Sequence, residues 1–236
     1  MILAYHRINP WYRKDALTVS PENFEKQIKY LFKKRYKFVS LKNYVSNYSL
    51  STIYYPLSLT FDDGFADNFW FALPILEKYK IPATIFLTAN FIDTEKTFSR
   101  YKDLEKDRFL KWEEIKNMKE KGIDFGSHSL SHPHLTQVSK DKAWEEISIS
   151  KKVIEDKIEE EISYFCYPYG DYNEEIVSMV EKAGYKGAVL TTKYQVLSTN
   201  YIFKNNFTLK RIGIYGHNNF FIYKIKIWRN FLKEKR

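Results

Sequence analysis

Asp62 and Asp63 stand side by side at the end of 57–61, an apolar–polar alternation that reads as a strand, and Gly64 follows them. Neighbouring strand residues point to opposite faces. The two carboxylates therefore serve one site only if the strand ends there and the backbone turns, which Gly64 permits. Taken alone, the stretch is equally a plain Asp-Gly turn closing a strand. A second stretch, Gly126-Ser127-His128-Ser129-Leu130-Ser131-His132-Pro133-His134-Leu135, holds three of the chain's five histidines. Its glycine, serines and Pro133 make it a loop after a strand over 123–125 rather than a helix face. Two histidines with a distant carboxylate form a metal set whose remaining positions stay open to water and substrate. Such a set serves hydrolysis. It also serves non-haem iron oxygenases.

The elements that must position these groups alternate. Strands are predicted at 2–8, 37–41, 57–61, 83–88, 123–125, 163–167, 188–191 and 209–214. Between them, Ser20-Pro21-Glu22 starts a helix striped by Phe24, Ile28, Leu31 and Phe32, and a short helix covers 41–48. Further helices cover 67–79, where Pro74 must kink or shift the pattern, 112–121 stopped by Gly122, 139–160, and 173–183 stopped by Gly184. A closing helix over 220–233 places Phe221, Ile225, Trp228 and Leu232 on one face. The charged connection 90–111 lacks periodicity and is of the kind that often carries function; 193–206 is ambiguous. The alternation predicts an α/β fold, a distorted (β/α) barrel of seven to eight strands, as one domain over 1–236. His6, Asp62, Asp63, His128, Tyr169 and Tyr215 all fall at or just past the C-terminal end of a predicted strand, where such barrels place their sites.

Lys and Arg exceed Asp and Glu by 38 to 29, a net charge of +9, which favours anionic partners. The cations are scattered without nucleic-acid motif spacing, so a solvated surface and no nucleic-acid partner are expected. Cys166 is the single cysteine, which rules out an internal disulfide. The chain runs from Met1 straight into its first strand with no signal peptide and has no run approaching the ~20 apolar residues of a span; a cytoplasmic or membrane-proximal location is expected. Lys224, Lys226, Arg229, Lys233, Lys235 and Arg236 accompany the closing apolar stripe, so that segment reads as the last barrel helix with weak membrane-surface contact as the alternative.

With these residues in hand, the sequence resembles the polysaccharide deacetylases, the NodB-homology family of carbohydrate esterase family 4. Thr60-Phe61-Asp62-Asp63-Gly64 matches the first family motif and His128-Ser129-Leu130-Ser131-His132-Pro133 the second, while Phe165-Cys166-Tyr167-Pro168-Tyr169-Gly170 is a variant of the third. The resemblance runs from about Ile2 to Ile214. It implies the same distorted barrel, and a hydrolase of N-acetylated carbohydrate in which Asp63, His128 and His132 bind a divalent metal, most simply zinc, with cobalt, nickel or iron as substitutes. It further implies Asp62 as general base and the Tyr169 N–H as an oxyanion donor. His134 reads as a surface or supporting residue.

The sequence departs from that pattern in three places. Family members often carry an arginine where Cys166 stands; the aspartate that steadies it is absent from 190–193; and the fifth motif, source of the general acid, is not recognisable. Arg211 is the candidate replacement guanidinium, and His6, ahead of His217, the candidate acid. The Tyr5-His6 start and the Tyr-Pro-Tyr-Gly variant are closest to the poly-N-acetylglucosamine deacetylase branch. Trp11, Phe65, Tyr167 and Tyr215, with Tyr12 and Tyr101, are candidate aromatic faces for sugar rings. The reading expected is a metal-dependent N-deacetylase of N-acetylglucosamine-type residues. The alternatives are a deacetylase or deformylase of a lipid-linked sugar, and a catalytically silent carbohydrate-binding member of the fold.

Overall fold

The β-rich runs become short parallel strands in the computed structural model, which describes residues 1–12, 15–46, 55–190 and 206–234, with side chains as far as 230. The strand end at Thr191, the stretch 191–193, nearly all of 193–206, and Lys235 and Arg236 lie outside the described residues. The strands are β1 (Ile2–Tyr5), β2 (Arg7–Ile8), β3 (Thr18–Val19), β4 (Tyr36–Phe38), β5 (Tyr55–Phe61), β6 (Ala83–Leu87), β7 (Ile123–Ser127), β8 (Tyr164–Cys166), β9 (Gly187–Val189) and β10 (Ile212–Gly213). Seven of them form one parallel sheet in the order β10-β1-β5-β6-β7-β8-β9. Its two edges meet where Leu209 bridges Val189. The helices are α1 (Pro21–Lys33), α2 (Leu41–Ser46), α3 (Leu73–Tyr79), α4 (Leu104–Asp107), α5 (Trp112–Glu120), α6 (Lys140–Ile158), α7 (Glu174–Lys182) and α8 (Phe220–Glu234). The result is the distorted (β/α) barrel that the alternation predicts. All five residues of β6 are buried, as an apolar run covered on both faces requires.

Three expectations are corrected. The predicted second strand is no barrel stave: β4 pairs with Tyr55–Leu57, the part of β5 that extends past β1, and β1 pairs directly with the rest of β5. The first strand stops at Tyr5, whose carbonyl takes the Asp62 N–H; Arg7 and Ile8 then pair separately with Thr18 and Val19. The last predicted strand shrinks to Ile212–Gly213 plus the bridge at Leu209. The connection 90–111 contains the short helix α4, and Asp93 N–H reaches Leu110 O at 3.0 Å.

Pro74 acts as its chemistry demands. It has no N–H to continue an α-helical ladder, and the chain ahead of it widens into a π-helical turn at Asn68–Ala72, where the Leu73 N–H reaches back five residues to Asn68 O. That turn carries Asp67 and Asn68 inward beneath the barrel's first connection.

Arg7 ties this connection together. It is fully buried, 2.6 Å from both Asp67 and Asp107, and it donates to Lys106 O at 2.9 Å. Its guanidinium lies against the rings of Phe65, Tyr101 and Tyr12. One cation therefore joins the first strand, the turn after β5 and the end of the 90–111 connection. Burial holds the Asp67 pKa above the ordinary carboxylate value even with Arg7 against it. Removing Arg7 would strand two buried carboxylates, a change that costs about 3–5 kcal/mol. Arg7→Met is accordingly expected to lower the unfolding free energy in urea by that amount; a loss below about 1 kcal/mol would show that the latch is not structural.

Candidate active site

Asp62, Asp63, His128 and Tyr169 sit just past the ends of β5, β7 and β8. Asp63 takes φ +75 and Gly64 φ +87, so the turn starts at the second aspartate itself and swings its carboxylate to the side Asp62 occupies. Thr88 N–H on Asp63 O (3.2 Å) and Leu110 N–H on Gly64 O (2.9 Å) pin that turn. After β7, His128 N–H bonds Leu87 O at 2.8 Å, and the loop then doubles back through Ser129 (φ +67) and His132 (φ +62). Tyr169, after β8, is also left-handed at φ +58. Such conformations cost of order 1–3 kcal/mol each in residues with side chains and persist only where the surroundings hold them.

Glu146 does much of that holding. From α6 its fully buried carboxylate accepts the N–H groups of Leu130 (3.0 Å) and Ser131 (2.8 Å) and the Ser131 hydroxyl (2.6 Å). Ser129 Oγ accepts the His132 N–H at 3.0 Å. The segment between the two histidines is thus clamped by side chains on both sides. Glu146 is absent from the sequence-level candidates, although a signal exists: it lies on the buried stripe of α6 with Ala143, Ile147 and Ser150. An acid on a core stripe needs a partner.

Three donor atoms converge. Asp63 Oδ1 lies 3.5 Å from both His128 Nε2 and His132 Nε2, and the two ring nitrogens are 3.2 Å apart. Ligands about 2.0–2.1 Å from a tetrahedral zinc stand about 3.3–3.4 Å from one another, so this triangle fits a zinc-sized ion. His128 Nδ1 lies 2.7 Å from Cys166 O, which fixes that nitrogen as the N–H and leaves Nε2 aimed at the triangle. Burial and the neighbouring His128 push the His132 pKa down to about 3, so its ring is a neutral donor at ordinary pH. Asp62, His128 and Cys166 also come within range of one another, but the Arg211 guanidinium lies against both Asp62 and Cys166, which disfavours a second cation there.

Asp62 is held as a fork. Arg211 Nη1 and Nη2 donate to its two oxygens at 2.7 Å each, and Nη1 also donates to Thr60 Oγ1 at 2.9 Å. Arg211 Nη2 is 3.1 Å from Cys166 Sγ. An arginine at position 166 would compete for the volume that this guanidinium fills. Burial works against an ionised Asp62, yet Arg211 more than offsets it and leaves the pKa below the usual carboxylate value. His6 Nε2 is 3.8 Å from Asp62 Oδ2, and its buried Nδ1 has no hydrogen-bond partner among the described residues. Burial lowers the His6 pKa, so this ring is neutral at rest.

The aromatic candidates divide. Phe65 and Tyr167 are fully buried, a correction to their reading as sugar-binding faces. The turn at Gly64 sends Phe65 into a cluster with Phe109, Phe98 and Tyr101, and Tyr167 packs between Phe165 and Tyr172. Tyr101 edges against Phe65 and donates to Asp15, and Tyr12 donates to Asp107. Trp11 is exposed, edge-on to Trp70 and Phe71. Tyr215 is half-buried and stacked on His217, which is exposed. Tyr169 stands against the metal triangle: its ring is 4.5 Å from His132 on one side and lies flat on His134, 3.8 Å away, on the other. His134 in turn pairs with Asp171. Phe98, brought in by the 90–111 connection, lies 5.1 Å from the His132 ring and is a second wall that sequence reasoning missed.

A family model described as polysaccharide deacetylase matches residues 54–188. The Bacillus subtilis protein YxkH, named for the same activity, is 30% identical over 194 residues, which make up 80% of this chain and 63% of that protein. A Geobacillus stearothermophilus relative is 32% identical over 54% of this chain and 43% of its own length. The chain therefore spans less than two thirds of either relative. The poly-beta-1,6-N-acetyl-D-glucosamine N-deacetylase of Staphylococcus aureus is 27% identical across 91% of this chain and 73% of that enzyme. Among solved structures, the Streptococcus pyogenes deacetylase PplD in complex with acetate aligns at a TM-score of 0.75 with 28% identity over 92% of each chain.

Glu146 gives the sharpest structural test of the triangle. Glu146→Gln removes a charged acceptor from two backbone N–H groups between His128 and His132 without creating a cavity. Outer contacts of this kind are worth about 10–100-fold in metal affinity. Zinc affinity, measured by competition with a chromophoric chelator, is expected to fall by at least about tenfold while the circular dichroism spectrum stays unchanged. Unaltered affinity would mean that the loop holds its shape without Glu146.

Proposed function

Because the chain belongs to the polysaccharide deacetylase family, we propose that it hydrolyses the acetamide of N-acetylglucosamine-type residues, with a divalent metal held by Asp63, His128 and His132. One observation carries this reading: a zinc-sized triangle of donor atoms lies beside a second carboxylate, Asp62, that no ligand position needs and that Arg211 holds in place. Zinc is the ion that the nitrogen-rich donor set suits best, with cobalt, nickel and iron as competitors. When bound, such an ion supplies a lowered pKa for water at the site and positive charge for the amide carbonyl.

The protein's own groups do the rest. Asp62, kept ionised by Arg211, takes a proton from the attacking water as its oxygen bonds to the acetyl carbon. The Arg211 fork fixes both carboxylate oxygens, so one orientation is presented to the water. The Tyr169 N–H is the proposed donor to the developing oxyanion, its left-handed backbone setting the direction of that bond. The C–N bond then breaks as a proton reaches the leaving nitrogen, giving a free amine and acetate. His6 is neutral at rest and 3.8 Å from Asp62, so it serves as a relay for the proton Asp62 has taken rather than as an independent acid. Tyr169 and Phe98 flank the site as walls for the sugar ring, with Tyr215 and Trp11 further candidates for binding it.

Acetate release from N-acetylglucosamine oligomers, with and without chelator, tests the reading. Activity lost to chelator and restored by zinc is expected. A protein that binds the oligomers yet releases no acetate in any metal form would be the silent carbohydrate-binding member instead. Asp63→Ala, His128→Ala and His132→Ala are each expected to lower metal content, whereas Asp62→Asn retains metal and loses at least ~10²-fold in turnover. His6→Ala is expected to slow turnover more than His217→Ala with metal intact in both, since His217 is an exposed ring stacked on Tyr215. The reverse order would move the proton relay to His217.

A further inference from the structure

Helix α8 is apolar on two opposite sides, and the barrel covers only one of them. Tyr223 and Ile227 are buried against the core, and Phe220 packs on Tyr30. Successive helical residues are about 100° apart, which places Phe221, Ile225 and Trp228 within about 60° of one another on the far side. These residues are exposed by 66%, 37% and 58%, with Ile222 beside them. The stripe that the sequence reads as one apolar face is thus the outward one, a correction to its expected role in closing the barrel. A helix apolar on all sides is ordinarily buried on all sides.

The charges decide what covers it. Across α8 the sequence carries Lys224, Lys226, Arg229 and Lys233 against one acid, Glu234, at its last position. Lys226 is occupied with the barrel, donating to Gly213 O and Asn218 Oδ1. Lys224 lies along one border of the apolar stripe and Arg229 along the other, and Lys26 of α1 sits over Phe220 at the helix start. A second copy of this chain on a two-fold axis would set this patch against itself, cation facing cation. No helix among the described residues is long and apolar enough to cross a membrane. An apolar stripe with basic borders and an exposed tryptophan matches the lipid–water interface, where side chains enter the acyl boundary and cations meet anionic headgroups.

We propose that the outer face of α8, through Phe221, Ile225, Trp228, Lys224 and Arg229, docks this protein on an anionic lipid surface. The docking is independent of the deacetylase reading, because none of these residues belongs to the candidate site. The test is sedimentation of the whole chain at low salt with phosphatidylcholine vesicles, with and without about a third phosphatidylglycerol. Binding to the anionic vesicles at least ~10-fold above the neutral ones is expected. Phe221→Ser with Trp228→Ser should abolish it, and Lys224→Gln with Arg229→Gln should remove the preference for anionic lipid. Both pairs are surface changes, and unaltered thermal midpoints confirm that they fold. Absence of binding at low salt, or binding that survives the Ser pair, overturns the proposal. So does a dimer in sedimentation equilibrium that the same Ser pair dissociates, which would assign the face to a second copy.

Discussion

The ion pair between Asp62 and Arg211 is the constraint on which the site depends. Two adjacent carboxylates buried at one strand end would repel each other and lose their hydration, and one of them would protonate. The bidentate fork of Arg211 neutralises one of the two and leaves Asp63 as the uncompensated charge. Asp62, Asp63 and Arg211 together carry one net negative charge, placed where His128 and His132 offer nitrogens, and carboxylates this close help raise the His128 pKa well above the ordinary imidazole value. Such an arrangement draws positive charge. The same pair sets the two carboxylates apart: Asp62 has both oxygens engaged by arginine, and Asp63 faces the two histidines.

Arg211 also explains how a departure from the family pattern can be self-consistent. Cys166 stands two residues before the proline, and the guanidinium beside Asp62 comes from Arg211, just ahead of β10, the strand that flanks β1. It reaches Asp62 through space left by the short side chain of Cys166, whose sulfur it touches. The ladder between β1 and β10 makes this possible, because Leu3 pairs with both Ile212 and Leu59 and so brings Arg211 level with Ser58 in the middle of β5. Cys166 and Arg211 thus pack as one unit beside Asp62.

What could be read from the chain alone follows the range of the interactions involved. Asp62, Asp63, His128 and His132 are legible because each pair is local and the residue types are unusual at a strand end. The barrel is legible because its strands and helices alternate in order. Arg211 is legible only as a candidate, since its partner lies 149 positions away. Glu146, Phe98 and the Arg7 latch went unread for the same reason. The errors at Phe65 and Tyr167 have another origin: position at a strand end does not say which way the ring points. Gly64 reverses the chain before Phe65, and the Phe65 ring turns inward onto Phe109. In α8 the periodicity identifies an apolar stripe correctly, yet a helix with two such stripes gives no local sign of which one meets the core.

Backbone strain and side-chain clamping belong together at this site. Of the eight non-glycine residues with positive φ among the described residues, four are Asp63, Ser129, His132 and Tyr169, all within the site. Two of the others, Lys80 and Glu159, are helix caps, a common place for left-handed residues. The site's four have no such excuse, and each is tied down from elsewhere in the barrel: Asp63 by Thr88, the histidine loop by Glu146, Tyr169 by its neighbours' turn and by the His134 ring. The strain is spent on convergence. Asp63 must leave the strand plane to face the histidines, and His132 must return to the ring it left four residues earlier. Glu146, carried by α6, ties that return to the folded barrel through the N–H groups of Leu130 and Ser131.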